Sequence, residues 1–503
     1  MSRHTTDRTQ NTPGCSPGCS PGCSPPLTRR RWRTICVTLP LAVGLVACND
    51  EPFNDPVELS GPGFIITGAK AGEQMVGVPC GDVNGDGLGE IIVSLRRNGD
   101  PAGAFLVFGK TDEEQVDIGS IASGEQGELG RLIDPGETEV SRLALAEIGD
   151  INGDGFADLG SPSYSEDSSH LQVVFGGPDL PAPLDLEKVA TGATGFTLEA
   201  LPTDDGPARW GISGVGDVNG DGLDDFTIGL YSWDVGSPHY FVFGGPAPLA
   251  PTLDDLEAGL GGAPLGPAWG ELVLPSGGDF NGDGIGDLLL VEQGSYLNGA
   301  YAYILWGGAN FDPLTLKQGP ESADVRMYFP ELLFESVDAV GDVNGDGLDD
   351  LVFTGNYPPA RFAYVVFSTG EADLRTLPGD LGDNGYVIAL GDPLPEDWHS
   401  HARSRSIAPA GDRNGDGLAD LIIHTEEQSY IAFGKADTAP QVLTADGLLL
   451  DALPFGEHFG RVYGWVALGA KSDDLVISDP NADPAGRTDA GRVYVLFDTP
   501  RLD

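Results

Sequence analysis

The chain has 503 residues, 74 of them glycine and 39 proline, and a formal charge of −50. That acidity repels nucleic acid and anionic lipid headgroups, excludes nucleic acid as a partner, and favours cations and soluble extracellular partners. Of six cysteines only Cys80 lies beyond residue 48, so the body of the chain has no internal disulfide framework.

Residues 1–28 include the low-complexity run CSPGCSPGCSP, which has no capacity for a core. Arg29, Arg30, Arg31 and Arg33 then precede an uncharged run, Ile35 to Ala47. A basic segment followed by a short apolar one has the form of an export signal, being too short for a membrane span. Leu45-Val46-Ala47-Cys48 resembles a bacterial lipobox, which makes Cys48 the expected lipidated N-terminus. The protein is therefore expected to be exported and membrane-anchored, periplasmic or at the cell surface. An ordinary signal peptide with a chance cysteine is the plainer alternative. Thr28-Arg29-Arg30 also resembles, less fully, a twin-arginine signal. Residues 1–47 thus read as a leader, 48–62 as a polar, proline-bearing tether, and 63–503 as the folded body.

In that body the nonapeptide D-x-N-G-D-G-x-x-[D/E] occurs six times, starting at Asp82, Asp150, Asp217, Asp279, Asp342 and Asp412. Oxygen-bearing side chains at positions 1, 3, 5 and 9, with glycine at 6, follow the ligand order of a calcium loop. Calcium takes six to eight oxygens, and the glycine permits the turn that points them inward. The first copy offers the side chains of Asp82, Asn84 and Asp86, the main-chain carbonyl of Leu88 and the carboxylate of Glu90. The second offers Asp150, Asn152, Asp154, Phe156 and Asp158; the third, Asp217, Asn219, Asp221, Leu223 and Asp225. The fourth offers Asp279, Asn281, Asp283, Ile285 and Asp287; the fifth, Asp342, Asn344, Asp346, Leu348 and Asp350. The sixth offers Asp412, Asn414, Asp416, Leu418 and Asp420. About six Ca²⁺ sites are expected, with a structural role, since extracellular sites of this kind bind at roughly 10⁻⁴–10⁻³ M.

An EF-hand would need a glutamate at position 12 on an exiting helix. Here that position holds Val93, Ser161, Ile228, Leu290, Phe353 and Ile423. The segments after the loops, such as EIIVSL, DFTIGL and DLVFTG, are short and rich in β-branched and aliphatic residues, so strands are expected on both sides of each loop. Loop starts are 62 to 70 residues apart, a period that suits a four-stranded sheet and its connections in a radial array.

Each unit opens on an apolar strand such as Phe64-Ile65-Ile66-Thr67-Gly68, passes a second strand, the loop and a third strand, and closes on a fourth ending in an aromatic. The closing aromatics are Phe108, Phe175, Phe243, Trp306, Phe367, Phe433 and Phe497, seven against six loops. The seventh unit keeps the strands GWVAL, DLVIS and RVYVLF but has GAKSDD in the loop's place, so no calcium is expected there. The fold expected is all-β: a seven-bladed β-propeller of four-stranded blades, with calcium loops in six. Cys80 falls where other units place Ile148, Val215, Gly277, Val340 and Ala410, a small apolar core position.

These units resemble FG-GAP repeats, the modules of the N-terminal β-propeller of integrin α subunits. The last shows it best, with His458-Phe459-Gly460 and then ISDPNADPAGRTDAGRVYVLF; the others keep the loop and the closing VFG. The resemblance covers residues 63–503 and implies a binding or scaffold module, here with no catalytic domain attached.

No G-x-S-x-G, H-E-x-x-H, zinc spacing or phosphate-cradling loop occurs in the chain. His399-Ser400-His401, beside Asp397 and Trp398, offers two histidines at i, i+2 for a metal, but no third ligand is evident and a solvated loop is the plainer reading. Trp210, Trp233, Trp269 and Trp398 fall in the variable connections, where they either stack on a sugar or protein ligand or pack between blades. The functional expectation is a monomeric, lipid-anchored, non-catalytic module for adhesion, recognition or scaffolding, with a protein or polysaccharide ligand. The alternative is a carbohydrate-active lyase or hydrolase with its site on a rim or in the channel.

Overall fold

The computed structural model describes residues 63–497 apart from 98–99, 135–144, 165–168, 190–193, 201–208, 232–238, 247–250, 266–271, 296–298, 312–321, 330–333, 358–359, 377–380, 391–405, 425–428, 440, 444–461, 468–472, 480–481 and 488–489. The leader, Cys48, the tether, the His399–His401 segment, Trp233, Trp269, Trp398 and His458-Phe459-Gly460 lie outside the described residues.

The apolar runs after the loops form strands buried on both faces, as a sheet packed between two others requires. In Ile91–Arg97 the side chains of Ile91, Val93 and Leu95 enter one cluster and Ile92 enters the next. The result is a seven-bladed β-propeller of antiparallel blades with few and short helices. Blade 1 is built from Glu73–Pro79, Ile91–Arg97, Asp100–Val107 and Gly130–Asp134, in that order from first strand to last. Blade 4 repeats the scheme with Leu272–Gly278, Asp287–Ser295, Gly299–Leu305 and Val325–Phe329. First strands of neighbouring blades meet one another, which places them round the axis. Blade 6 shows three strands among the described residues, Ser406–Gly411, Asp420–His424 and Ser429–Ala432.

The repeat read in the sequence and the blade in space are offset by one strand. The opening strand of a unit does not join the sheet of its own loop; it is the fourth strand of the blade before. Gly130–Asp134, which opens the second unit, pairs with Asp100–Val107 of blade 1. The first such strand, Gly63–Thr67, therefore belongs to blade 7, where it pairs with Arg492–Leu496 in the register Gly63↔Leu496 to Thr67↔Arg492. Blade 7 is thus three strands from the end of the chain and one from its beginning. Four short parallel strands, Val116–Asp117, Leu184–Asp185, Asp373–Thr376 and Gln441–Leu443, add to outer edges and cover main-chain groups left unpaired there.

Buried side chains sort into clusters between blades. One joins blade 7 to blade 1 through Phe64, Ile66, Val476, Val493 and Val495 against Met75, Ile91 and Val93. Another joins blade 6 to blade 7 through Ala408, Ile422 and Ile431 against Ile65, Ile477 and Tyr494. Alternate residues of the first strand thus serve the two faces of one blade. Polar bonds add to this closure: Gly77 N–H of blade 1 donates to Ser478 Oγ of blade 7 (2.9 Å), and within blade 7 the Arg487 guanidinium donates from both terminal nitrogens to Asp117 Oδ2 on the added edge strand (3.1 Å each). Cys80 is buried with Val83, Ile92 and Leu159, the small core position expected, and burial raises its thiol pKa well above the ordinary value.

Phe64 has no exposed surface and lies on the strand that closes the ring. Phe64→Ala is expected to lower stability by about 3–5 kcal/mol, read as a reduced midpoint in urea denaturation. A change below about 1 kcal/mol would show that the seam does not hold the ring.

Candidate functional site

The six nonapeptides all join the first strand of a blade to the second, so they lie at one end of the propeller. Their conformation comes from the side chain at position 1. Asp82 Oδ1 accepts from the N–H groups of Gly85 (2.6 Å) and Asp86 (3.1 Å), and Oδ2 from Gly87 (2.8 Å). Asn84 Oδ1 accepts from Asp86 N–H (2.8 Å), and Asp86 Oδ1 from Leu88 N–H (2.9 Å). The position 1 bonds recur at Asp150, Asp217, Asp279, Asp342 and Asp412. So do the position 3 and 5 bonds, through Asn152 and Asp154, Asn219 and Asp221, Asn281 and Asp283, Asn344 and Asp346, and Asn414 and Asp416. The glycines at positions 4 and 6 take positive φ, near +81° and +88° in the first loop, a region that side chains with a Cβ rarely enter.

Position 9 is the buried end of each loop. Glu90, Asp158, Asp225, Asp287, Asp350 and Asp420 are all 0 % exposed. In each, one carboxylate oxygen accepts from the N–H of position 2, for example Ile151 to Asp158 Oδ2 (3.0 Å). In the five aspartates the other oxygen accepts from the turn after the closing strand: Gly176, Gly244, Gly307, Ser368 and Gly434, at 2.8–2.9 Å. Those turn residues are functional positions that the sequence reading passed over as mere closures. A Cβ at Gly176 would stand 2.5 Å from the Ala157 carbonyl and 2.8 Å from that of Val83, so the recurring VFG ends in glycine to let the closing strand slip between two loops.

Among the described residues, the partners of position 9 are N–H groups and the loop's own asparagine, with no lysine or arginine side chain. Asn84 Nδ2 donates to Asp86 Oδ2 (3.0 Å) and Glu90 Oε1 (2.9 Å), and Asn281 Nδ2 to Asp287 Oδ1 (3.1 Å). The amide hydrogens thus stand between carboxylates, where positive charge is wanted. Burial first, and the carboxylates at positions 5 and 1 after it, push Glu90, Asp158 and Asp350 up to about 8, Asp225 and Asp287 to about 7 and Asp420 to about 6, against the opposing main-chain hydrogen bonds. An all-oxygen donor set around uncompensated buried carboxylate fits a hard divalent cation such as calcium. A bound ion would supply the missing positive charge; the chain supplies Asp at 1 and 5, Asn at 3 and the buried acid at 9. Among the described residues, the first loop alone gathers three carboxylate oxygens, of Asp82, Asp86 and Glu90, within 4.8 Å of one another. Glutamate carries one methylene more than the aspartate of the other five.

Two departures from the common pattern stand out. Position 2 is buried and apolar in five loops (Val83, Ile151, Val218, Phe280, Val343), but the sixth has Arg413, buried, with Nε donating to the Ala410 carbonyl (2.6 Å). Position 8 is Gly or Ala in four loops and aspartate in two, Asp224 and Asp349, whose carboxylates reach the preceding loop. In the seventh unit the strand Asp473–Asp479 follows the place where a loop would stand, and residues 468–472 lie outside the described residues. Trp210 is the second residue of the strand Arg209–Gly216.

Integrin alpha-PS2 of Drosophila melanogaster is 27 % identical to this chain over 189 residues, which are 34 % of the chain and 12 % of that protein. The seven blades and this partial similarity fit an integrin-like FG-GAP propeller. No family model matches it. The match spans only 12 % of the length of this curated relative. Among solved structures, the Dos1 propeller is 10 % identical, covers 88 % of this chain and 97 % of its own, with a TM-score of 0.40. The protein lmo1340 of Listeria monocytogenes EGD-e is 11 % identical with a TM-score of 0.33, covering 82 % and 92 %. The exotype rhamnogalacturonan lyase YesX is 11 % identical with a TM-score of 0.28, covering 88 % and 90 %.

Two outcomes are expected from thermal melts of this propeller. Calcium at ten times its Kd would add about 1.4 kcal/mol per loop, so EDTA should lower the Tm sharply. In EDTA, a carboxyl whose folded pKa lies above its unfolded value near 4 contributes stability that is complete below that value and lost as pH rises through about 6 to 8. Calcium requires the deprotonated acid, so the gap between melts in calcium and in EDTA should widen from pH 5 to pH 8. A Tm indifferent to EDTA at pH 8 would overturn the metal assignment.

Proposed function

We propose that the protein is a calcium-stabilised, lipid-anchored module outside the cytoplasm that binds a protein or polysaccharide, in adhesion, recognition or scaffolding, without turnover. The observation that carries this reading is the row of six like loops at one end, each with a buried acid whose partners among the described residues are N–H groups and asparagine amides. The all-oxygen donor set supports calcium as the ion, in about six sites. The acidic surface supports an extracellular setting, where calcium is abundant. Similarity to an integrin supports a binding role over a catalytic one.

Fractionation and glycan and protein arrays test this together. Cys48→Ala is expected to move the protein from the membrane to the soluble fraction. The purified full chain is expected to bind a ligand saturably in calcium while leaving it intact. Release of unsaturated or reducing sugar ends from a polysaccharide would replace this reading with a carbohydrate-active enzyme.

A further inference from the structure

The six loops are not separate turns; each is fastened to the next. The N–H of position 8 donates to the position 1 carbonyl of the preceding loop at every junction: Ala157 to Asp82 (2.9 Å), Asp224 to Asp150 (3.1 Å), Gly286 to Asp217 (3.1 Å), Asp349 to Asp279 (2.9 Å) and Ala419 to Asp342 (2.8 Å). The side chain at position 7 packs on the position 4 glycine of the preceding loop. A Cβ at Gly85 would stand 2.2 Å from Phe156 Cε1, at Gly153 2.6 Å from Leu223 Cδ2, and at Gly282 2.8 Å from Leu348 Cδ2. The same contact recurs at 2.9 Å between Gly345 and Leu418. At two junctions a carboxylate is added. Asp224 Oδ2 accepts from Asp150 N–H (2.7 Å) and Asp349 Oδ2 from Asp279 N–H (2.8 Å), so one aspartate grips both the N–H and the carbonyl of a single residue next door.

The residue gripped is the one that shapes its loop, because the position 1 carboxylate holds the N–H groups of positions 4, 5 and 6. Fixing its main chain from both sides sets where its ligand oxygens point. We infer that calcium occupancy is transmitted along this rim from loop to loop, and that Asp224 and Asp349 are positioning residues joining the second loop to the third and the fourth to the fifth. The inference rests on the calcium reading above. Ordering one loop removes part of the entropy its neighbour must lose on binding, which gives positive coupling between nearest neighbours without any larger movement. Neither aspartate belongs to the ligand set at positions 1, 3, 5, 7 and 9, so each acts through another residue. The series is open, because the seventh unit brings no such nonapeptide to link the sixth loop back to the first.

Calcium titration of the full chain by calorimetry, with melts in calcium and in EDTA, tests this using Asp224→Ala, Asp349→Ala and the ligand variant Asp221→Ala. The parent should bind with a Hill slope above 1. Asp224→Ala and Asp349→Ala should keep the full stoichiometry but weaken a pair of sites about five-fold or more, and should shrink the calcium-induced rise in Tm. A merely structural loss would instead lower both melts equally and leave the titration unchanged. Asp221→Ala should remove one site and weaken its neighbours, the second and fourth loops. If Asp224→Ala does not fold, Asp349→Ala carries the same comparison. Parent-like titrations for the position 8 variants, with one site lost and none weakened in Asp221→Ala, would overturn the coupling alone. A parent that takes up no calcium would overturn the calcium reading and the coupling with it.

Discussion

Every loop-bearing blade of this protein turns on an acid that water does not reach. Removing a carboxylate from solvent costs several kcal/mol unless hydrogen bonds or a cation replace the lost hydration. The chain answers in part with main-chain N–H groups from two directions, the loop's own second residue and the turn that ends the closing strand. Much of the local sequence follows from that arrangement. Glycine at positions 4 and 6 lets the main chain curl round the position 1 aspartate, and glycine after the closing aromatic lets a third segment approach the buried acid. What the N–H groups leave unmet is charge, and the raised pKa values at Glu90 and Asp158 register that deficit.

The same loops bear on the assembly of the ring. Blade faces are held by interlocking aliphatic and aromatic side chains, a short-range and forgiving contact. The rim bonds between loops are directional and repeat at each junction. Packing therefore brings blades together, while the loops fix how far each is rotated about the axis relative to the next.

Much of this was legible in the sequence because the repeat wrote it several times. The D-x-N-G-D-G spacing, the β-branched runs after it and the absence of an acid at position 12 identify a loop between strands, and the structure has one at each copy. Seven closing aromatics indicate seven blades. The offset between unit and blade was not legible, because a strand's partner is set by long-range pairing that composition does not encode: Phe64-Ile65-Ile66 reads alike whether it pairs forward or back. Asp224 and Asp349 went unremarked for a related reason. An aspartate beside a ligand aspartate looks like more of the same acidity until the preceding loop's N–H is seen against it. The glycines of the VFG closures were visible, but their reason, two carbonyls within reach of any Cβ, exists only in three dimensions.

The strand Gly63–Thr67 is made long before its partner, Arg492–Leu496. Until that partner emerges, Phe64 and Ile66 lack the strand they pack beside, and the first blade lacks the neighbour that covers Met75 and Ile91. The nascent protein must therefore carry an unsealed apolar flank while the six blades between are made. Any holding factor that shields it has to act early and let go only when the partner strand arrives.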